Sequence, residues 1–509
     1  MVRDDRSTSF VHCGSLAHGK AHTKGLWIVA VPLLACCVAT AQISPSPSPV
    51  AGTGEGLTPS TPAVAMPAPT LNGTQNPFLG GVPSGQVTPE VLKLSLQDAI
   101  SRGLRFNLGV YLSGQGTAQA RAARLRALSG LLPTLNAHVA ESEQQINLEA
   151  FGIPAPGGQN IIGPFAVFDA RASVTQALSL ASLSNYKASL ADVDAAKLSY
   201  QDARDLVVLV SGGLYMQALA GRARIQAAEA QATTAQALYK LAVDQKNAGV
   251  TAGIDVLRAQ VEYQFQQQRL IAARNDFEKE KLQLARAIGL PVAQVFDLSL
   301  AQMPSAPMPP ITLEQALDRA YKNRADYMAA QAQVRAAELT RKAANNERLP
   351  SIQFTGDYGT IGSSPGSSHG TFAAAGALII PIFQGGRIKS DIQTADALLN
   401  QRKAVAEDTR SRVEYEVRTA FLDLNTANQQ VDVAKSSVGL AQEQVRQAQD
   451  RFTAGVTNNI EVIQAQEALA TTNDTYINSL LAQNLAKLSL ARAIGVAQEA
   501  AKEFLGGTQ

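Results

Sequence analysis

The 509-residue chain carries 44 Lys and Arg against 42 Asp and Glu, with 46% hydrophobic but only 5% aromatic residues. Arg3, Arg6, Lys20 and Lys24, set against Asp4 and Asp5, make the N-terminal stretch basic; the remainder holds 40 basic and 40 acidic residues, with no basic stripe of the kind nucleic acid requires. All three cysteines (Cys13, Cys36, Cys37) lie in that stretch, so the rest of the chain offers no thiol for a disulfide or a metal.

Lys20 and Lys24 precede an apolar run from Leu26 to Val38, which stops at Ala39-Thr40-Ala41 before Gln42. A basic start, a short apolar run and an A-x-A site predict a cleaved export signal over residues 1–41. The alternative is a lipoprotein box, Leu33-Leu34-Ala35-Cys36, with Cys36 acylated; the A-x-A site takes precedence because it falls where the apolar run ends. Residues 42–93 open with Ser44-Pro45-Ser46-Pro47-Ser48-Pro49 and stay rich in Pro, Ser, Thr, Gly and Ala, a composition that predicts an extended linker. Beyond Gln42 no uninterrupted apolar stretch reaches about 20 residues, so a mature chain embedded in a membrane has to enter it as a closed β-barrel.

The remainder is a duplication. Ala285-Arg286-Ala287-Ile288-Gly289 returns as Ala491-Arg492-Ala493-Ile494-Gly495, and Ala248-Gly249-Val250-Thr251 as Ala454-Gly455-Val456-Thr457, both 206 residues later. Leu132-Pro133 returns as Leu349-Pro350, but 217 residues later, so the first copy carries 11 extra residues between Pro133 and Gly249. A unit of this size exceeds a solenoid period of about 20–50 residues and predicts two homologous halves of one body. The halves are placed at 94–300 and 311–496, with a Pro-rich linker at 301–310 between them and a tail at 497–509.

Each half predicts the same order of elements. A helix comes first, at 95–129 and 312–347. Two strands around a loop follow, near 132–148 with 165–179 and near 350–360 with 371–383. The loops at 149–164 and 361–370 are rich in Gly, Pro and Ser, and the longer first loop is the natural place for the insertion. Two long helices joined by a Gly-Val-Thr turn complete each half. No proline occurs between Pro164 and Pro291 or after Pro381, and a helix over 184–247 would run about 95 Å at 1.5 Å per residue. Val431, Ala434, Val438, Ala441, Val445, Ala448 and Phe452 alternate spacings of three and four, as do Ile225, Ala228, Ala232, Ala235, Tyr239 and Ala242. These are coiled-coil seams whose small residues call for close-set helices.

The strands alternate at period two. Ile352, Phe354, Gly356 and Tyr358 interleave with Ser351, Gln353, Thr355 and Asp357, and Ala166, Phe168, Ala170, Ala172 and Val174 with Val167, Asp169, Arg171, Ser173 and Thr175. A barrel wall between lipid and water requires such a pattern, and so does a half-buried soluble strand. Catalytic signals are absent from the sequence: it has no G-x-x-x-x-G-K-[ST] loop and no nucleophile constellation, and His138 and His369 stand alone. The chain is therefore not read as an enzyme, and no cofactor or metal is expected.

These residues resemble the TolC-type outer-membrane efflux proteins from Leu94 to Val496. The resemblance is carried by the paired openings Leu94-Ser95-Leu96-Gln97-Asp98-Ala99 and Ile311-Thr312-Leu313-Glu314-Gln315-Ala316, by Leu132-Pro133 and Leu349-Pro350 entering the strands, by Pro381-Ile382-Phe383-Gln384-Gly385-Gly386 leaving them, and by the two Gly-Val-Thr turns. It implies a mainly α protein with a membrane β-barrel. Duplicated antiparallel coiled coils and four strands per chain would assemble as a homotrimer with a twelve-stranded barrel and an α-helical periplasmic tunnel. It implies a passive outer-membrane conduit of a tripartite efflux or type I secretion system, energised by an inner-membrane pump and met by a periplasmic adaptor at the tips. The tip residues are Gly249, Val250, Thr251, Gly455, Val456 and Thr457. Asp255, Glu461 and Gln464 align with the periplasmic aperture, where Glu461 keeps a carboxylate, Gln464 is neutral and Asp255 faces a neighbouring helix. Phe452 and Thr457 stand where one branch of the family has a gating tyrosine and arginine, and the residue types cannot reproduce that bond or that ion pair. Asn458 is expected to cap the following helix with Glu461 three residues on, close to a capping box. The rival reading is a periplasmic coiled-coil adaptor or scaffold without a pore.

Overall fold

A computed structural model describes residues 76–152, 160–304 and 311–499. The export signal, Cys36, most of the linker, the 153–159 loop, residues 305–310 and the end of the tail lie outside the described residues.

The chain begins with β1 (Leu92–Leu94), α1 (Leu96–Phe106) and α2 (Leu108–Ser129). The hairpin of β2 (Thr134–Asn147) and β3 (Ile161–Leu178) follows. Next come α3 (Leu180–Asn247), α4 (Gly253–Ala287) and β4 (Phe296–Leu298). The second half repeats this with α5 (Leu313–Asn323), α6 (Ala325–Asn346), β5 (Ser351–Gly362), β6 (His369–Ile379), α7 (Arg387–Thr453) and α8 (Asn459–Ala493).

The paired openings of the two halves are capping boxes. The Ser95 hydroxyl accepts from the Asp98 amide and the Asp98 carboxylate accepts from the Ser95 amide; Thr312 and Gln315 do the same. Each expected single helix, 95–129 and 312–347, is in fact two. Asn107 and Arg324 adopt extended backbone and break the helices. The Asn107 carboxamide caps the Gly109 amide at 2.9 Å and donates to the carbonyls of Phe78 at 2.7 Å and Ala287 at 2.9 Å.

Residues 76–93, expected to belong to the mobile linker, are instead pinned to the helical body by hydrogen bonds, although most of 82–93 stays exposed. Val82 donates its amide to Phe106, Gly80 accepts from the Leu108 amide, and β1 pairs in parallel with β4 through Leu92↔Phe296 to Leu94↔Leu298. Pro- and Gly-rich composition hid this crossing, because main-chain pairing makes little demand on side chains.

α3 and α7 are 68 and 67 residues long, close to 100 Å each at 1.5 Å per residue. They depend on lateral packing. Val431, Ala434, Ala441, Val445, Ala448 and Phe452 are buried on α7, with Val438 half-buried, and Ala228, Ala232, Ala235 and Ala242 are buried on α3. Tyr239 turns toward α4, where it stacks on Tyr263 with ring centroids 6.4 Å apart. One segment of α3 is long and apolar enough to cross a membrane by length and composition. It forms the core where the two halves meet: Val207, Val208, Tyr215, Met216, Ala218 and Leu219 are buried there, and the Tyr215 hydroxyl donates to the Leu94 carbonyl at 3.1 Å.

The strands form one antiparallel sheet in the order β2-β3-β5-β6, with β3 and β5 joining the halves. Register sorts the faces. Leu135, Ala137 and Val139 share a face with Ala170, Ala172 and Val174, then Gly356, Tyr358 and Phe354, then Phe372 and Leu378. Leu135, Val139, Tyr358, Phe372 and Leu378 are 63–79% exposed on it. The other face presents Asn136, His138, Asp169, Arg171, Ser173, Thr355 and Asp357. Glu141 and Glu143 fall on the apolar face, opposite Phe168 and Ala166. The β3–β5 pairing ends at Phe168↔Gly362, so these carboxylates lie at the rim and beyond it, clear of the apolar band.

The extra length of the first half is spread over its hairpin. β2 and β3 have 14 and 18 residues against 12 and 11 for β5 and β6. The second half regains part of it at the exit, where residues 380–386 connect β6 to α7 and Ser179 alone connects β3 to α3.

Candidate functional site

Two features of the molecule are candidates for a site: the hairpin tips and the polar face of the sheet. Both tips reverse through the same hydrogen bonds. At the first, the Gly249 amide donates to Lys246 and the Val250 amide to Gln245; at the second, Gly455 donates to Phe452 and Val456 to Arg451. Gly249 and Gly455 have φ of 75° and 70°, the left-handed conformation that this helix ending requires. Val250 and Val456 project outward, 66% and 71% exposed.

The charges of the two tips are permuted. In the second, Arg451 lies 3.1 Å from the Glu461 carboxylate, which also accepts the Thr457 hydroxyl at 2.5 Å. The residue 206 positions before Arg451 is Gln245, so the first tip has no such pair; Asp255 meets Arg258 on its own helix at 3.3 Å, and the counterpart of Arg258 is Gln464. Each tip thus holds an ion pair of its own, with the base on α7 in one and on α4 in the other.

At the second tip the Thr457 hydroxyl bonds Glu461, and the ion pair is supplied by Arg451 and not by position 457. Nor does Glu461 close a capping box: Asn458 caps the Ile460 amide at 3.1 Å, while the Glu461 carboxylate turns to Thr457 and Arg451. Phe452 is buried with Leu238, Val445 and Val462, sealing the seam between α3, α7 and α8. Gln464 is exposed beside an apolar groove that Ile254, Leu257, Val261 and Ile460 line between α4 and α8. The helices are tied across this groove by buried Asn459, whose amide donates to the Asp255 carbonyl at 3.3 Å. Arg451 and Asn459 were missed; aligning the copies at the 206-residue offset exposes both, as Gln245→Arg451 and Gly253→Asn459.

Where the halves meet, Arg324 at the α5–α6 break anchors an ion network. Its side chain is 1% exposed, forks onto Asp326 at 3.0 and 2.6 Å and reaches Glu416 on α7 at 2.5 Å. Arg492 on α8 continues it to Glu416 at 3.4 Å and to Asp202 on α3 at 2.8 Å. Burial pushes the Asp326 carboxyl up, but the Arg324 fork outweighs it and leaves the group below the ordinary range. Asp202 and Asp205 are raised by burial despite the neighbouring arginines.

A twisted sheet with one lipid-compatible face, carried on coiled coils of about 100 Å, defines a protein built to cross an outer membrane and the space beneath it. The profile described as outer membrane efflux protein matches residues 115–290 and 316–496, and the chain belongs to that family. It is 25% identical over 322 residues to the pyoverdine export outer membrane protein OpmQ of Pseudomonas putida, covering 60% of this chain and 65% of OpmQ, just under two thirds of that relative's length. Its fold is that of the outer membrane protein VceC of Vibrio cholerae, with a TM-score of 0.68 and 16% identity over 79% of this chain and 96% of VceC. The outer membrane channel CmeC of Campylobacter jejuni is similar to the same degree, with a TM-score of 0.68 and 17% identity over 85% of this chain and 93% of CmeC. The fold is thus an α-helical tunnel joined to a β-barrel, and the protein is located in the outer membrane.

Proposed function

We propose that three copies of this chain close a twelve-stranded barrel and form a passive channel through the outer membrane, fed by an inner-membrane pump through a periplasmic adaptor that meets the hairpin tips. One observation carries this reading. The sheet has four strands, an apolar and a polar face, and two open edges, β2 and β6, whereas even a small barrel needs about eight strands and an unpaired edge is not tolerated in lipid. Three chains supply twelve strands and remove every edge. The pore-free scaffold reading leaves the exposed apolar face of this sheet in water, which disfavours it.

In this reading Val250 and Val456, with Gly249, Thr251, Gly455 and Thr457, form the docking knobs, and Asp255, Glu461 and Gln464 surround the periplasmic aperture. The Arg451–Glu461 pair changes the electrostatics expected there: a ring of three Glu461 carboxylates is shadowed by three guanidiniums. Purified protein in planar bilayers should conduct. Arg451→Ala, which uncovers Glu461, should raise cation preference and strengthen block by trivalent cations added on the periplasmic side several-fold, because confined rings of like charge hold multivalent ions. Glu461→Gln should shift both in the opposite direction. Absence of conductance contradicts the channel; conductance indifferent to both substitutions removes these residues from the aperture.

A further inference from the structure

The charged residues on the polar face of the sheet are not scattered. Among the described residues of the four strands, that face carries three full charges, Asp169, Arg171 and Asp357, and all three form one cluster. The Arg171 guanidinium lies back along its own strand onto Asp169, with Nε to Oδ1 at 2.6 Å and Nη2 to Oδ2 at 2.7 Å. Both oxygens of Asp169 are thus engaged by a two-point fork, the strong geometry for this pair. Asp357, on the neighbouring strand, meets Arg171 through a single longer contact, Nη1 to Oδ1 at 3.3 Å. Arg171 pairs in register with Gly359, and the close approach there requires a glycine, since a Cβ at 359 would lie 2.5 Å from the Arg171 Cα. The surroundings on that face are short: Ser173 and Thr175 on β3, Thr355 on β5, and Ala373, Ala375 and Ala377 on β6. His138 is the register partner of Arg171 on β2.

We propose that Asp169, Arg171 and Asp357 form a charge filter inside the barrel, separate from the tip, that favours cationic solutes and retards anionic ones. The inference rests on the channel reading above. Asp169 neutralises Arg171, so Asp357 is the surplus charge, one negative charge per chain at one level of the wall and three around a trimeric lumen. Rings of charged side chains set ionic preference in this way. The floor around the cluster is Ala, Ser and Thr, so nothing longer stands between it and a solute that passes within a Debye length, about 10 Å at 0.1 M salt.

The test needs no opening of the tip. The chain has no cysteine beyond Cys37, so Ala375→Cys places a single reporter thiol on the polar face. Ala375 pairs with Thr355, on the helix-proximal side of Asp357. Methanethiosulfonate reagents carrying a trimethylammonium or a sulfonate group are added outside to the assembled protein in vesicles, and the ratio of their modification rates is measured. The filter predicts faster reaction of the cationic reagent. Asp357→Asn should lower the ratio about threefold or more, Arg171→Gln should raise it by a similar factor, and Arg171→Lys should leave it near the starting value. In 1 M salt, where the Debye length falls to about 3 Å, the differences should largely vanish. A ratio unchanged by Asp357→Asn and Arg171→Gln overturns the filter while leaving the channel standing. A thiol at 375 that neither reagent reaches means that this face does not line a lumen, and the channel reading falls with the filter.

Discussion

Arg324→Ala is expected to be the most damaging single substitution in the helical body. The wild-type guanidinium is 1% exposed and compensates Asp326 and Glu416 where α5, α6 and α7 converge. Removing it takes the forked partner from largely buried Asp326 and leaves only the longer ion pair with Arg412 at 3.7 Å, where breaking a buried pair costs about 3–5 kcal/mol. Arg324 is also the residue that interrupts the helix between α5 and α6, so the change disturbs backbone and charge together. Helical unfolding followed by circular dichroism should start well below the wild-type temperature, and little protein should reach the outer membrane. A wild-type melting curve would show that the network contributes nothing. The pH dependence has two opposing parts. Asp326 is depressed in the folded state, so its contribution is present above the ordinary carboxylate pKa and is lost as pH falls through its lower folded value. Asp202 and Asp205 are raised, so their contribution is full below the ordinary value and is lost as pH rises through their folded values. Asp202→Asn should therefore cost less at neutral pH than Asp326→Asn.

The second large effect distinguishes two glycines that look equivalent in the sequence. Gly455 and Gly495 both end long helices with positive φ, 70° and 75°. At Gly455 an added Cβ meets nothing within 4 Å, whereas at Gly495 it would lie 2.8 Å from the Asn323 carbonyl carbon and 3.0 Å from the Arg324 nitrogen. Gly455→Ala therefore carries only the left-handed backbone cost of about 1–2 kcal/mol and should leave a folded, membrane-inserted protein with an altered tip. Gly495→Ala adds overpacking of about 1–3 kcal/mol and presses on the anchor of the ion network. Its melting temperature should fall clearly further than that of Gly455→Ala; equal shifts would mean that the α8 end does not seat on the α5–α6 break as described.

The long helices, the hairpin strands and the duplication were legible because each is written in a periodic signal: spacings of three and four along Val431 to Phe452, alternation along Ile352 to Tyr358, and a constant 206-residue offset. The parts that were not legible depend on main-chain pairing or on single residues. The anchoring of residues 76–93 relies largely on backbone donors that any composition supplies, and Pro and Gly there read as a linker. The helix breaks at Asn107 and Arg324 lie inside long proline-free stretches that read as continuous helix. Among the site residues, Glu461 and Gln464 drew attention through their place in an aligned motif, but their partners did not. Arg451 is one charge among many on a long helix, and only the fold sets it 3.1 Å from Glu461. The Asp169–Arg171–Asp357 cluster was visible only as polar positions in two strands, because its third member enters through the β3–β5 register.

If one chain supplies a third of a closed barrel, the mass of the purified particle shows it. Sedimentation of the purified protein in detergent, with the bound detergent accounted for, should give three chains per particle in a single species that keeps its β signal. A single-chain particle with an intact β signal would rule out the trimeric barrel, because one four-stranded sheet cannot pair both of its own edges.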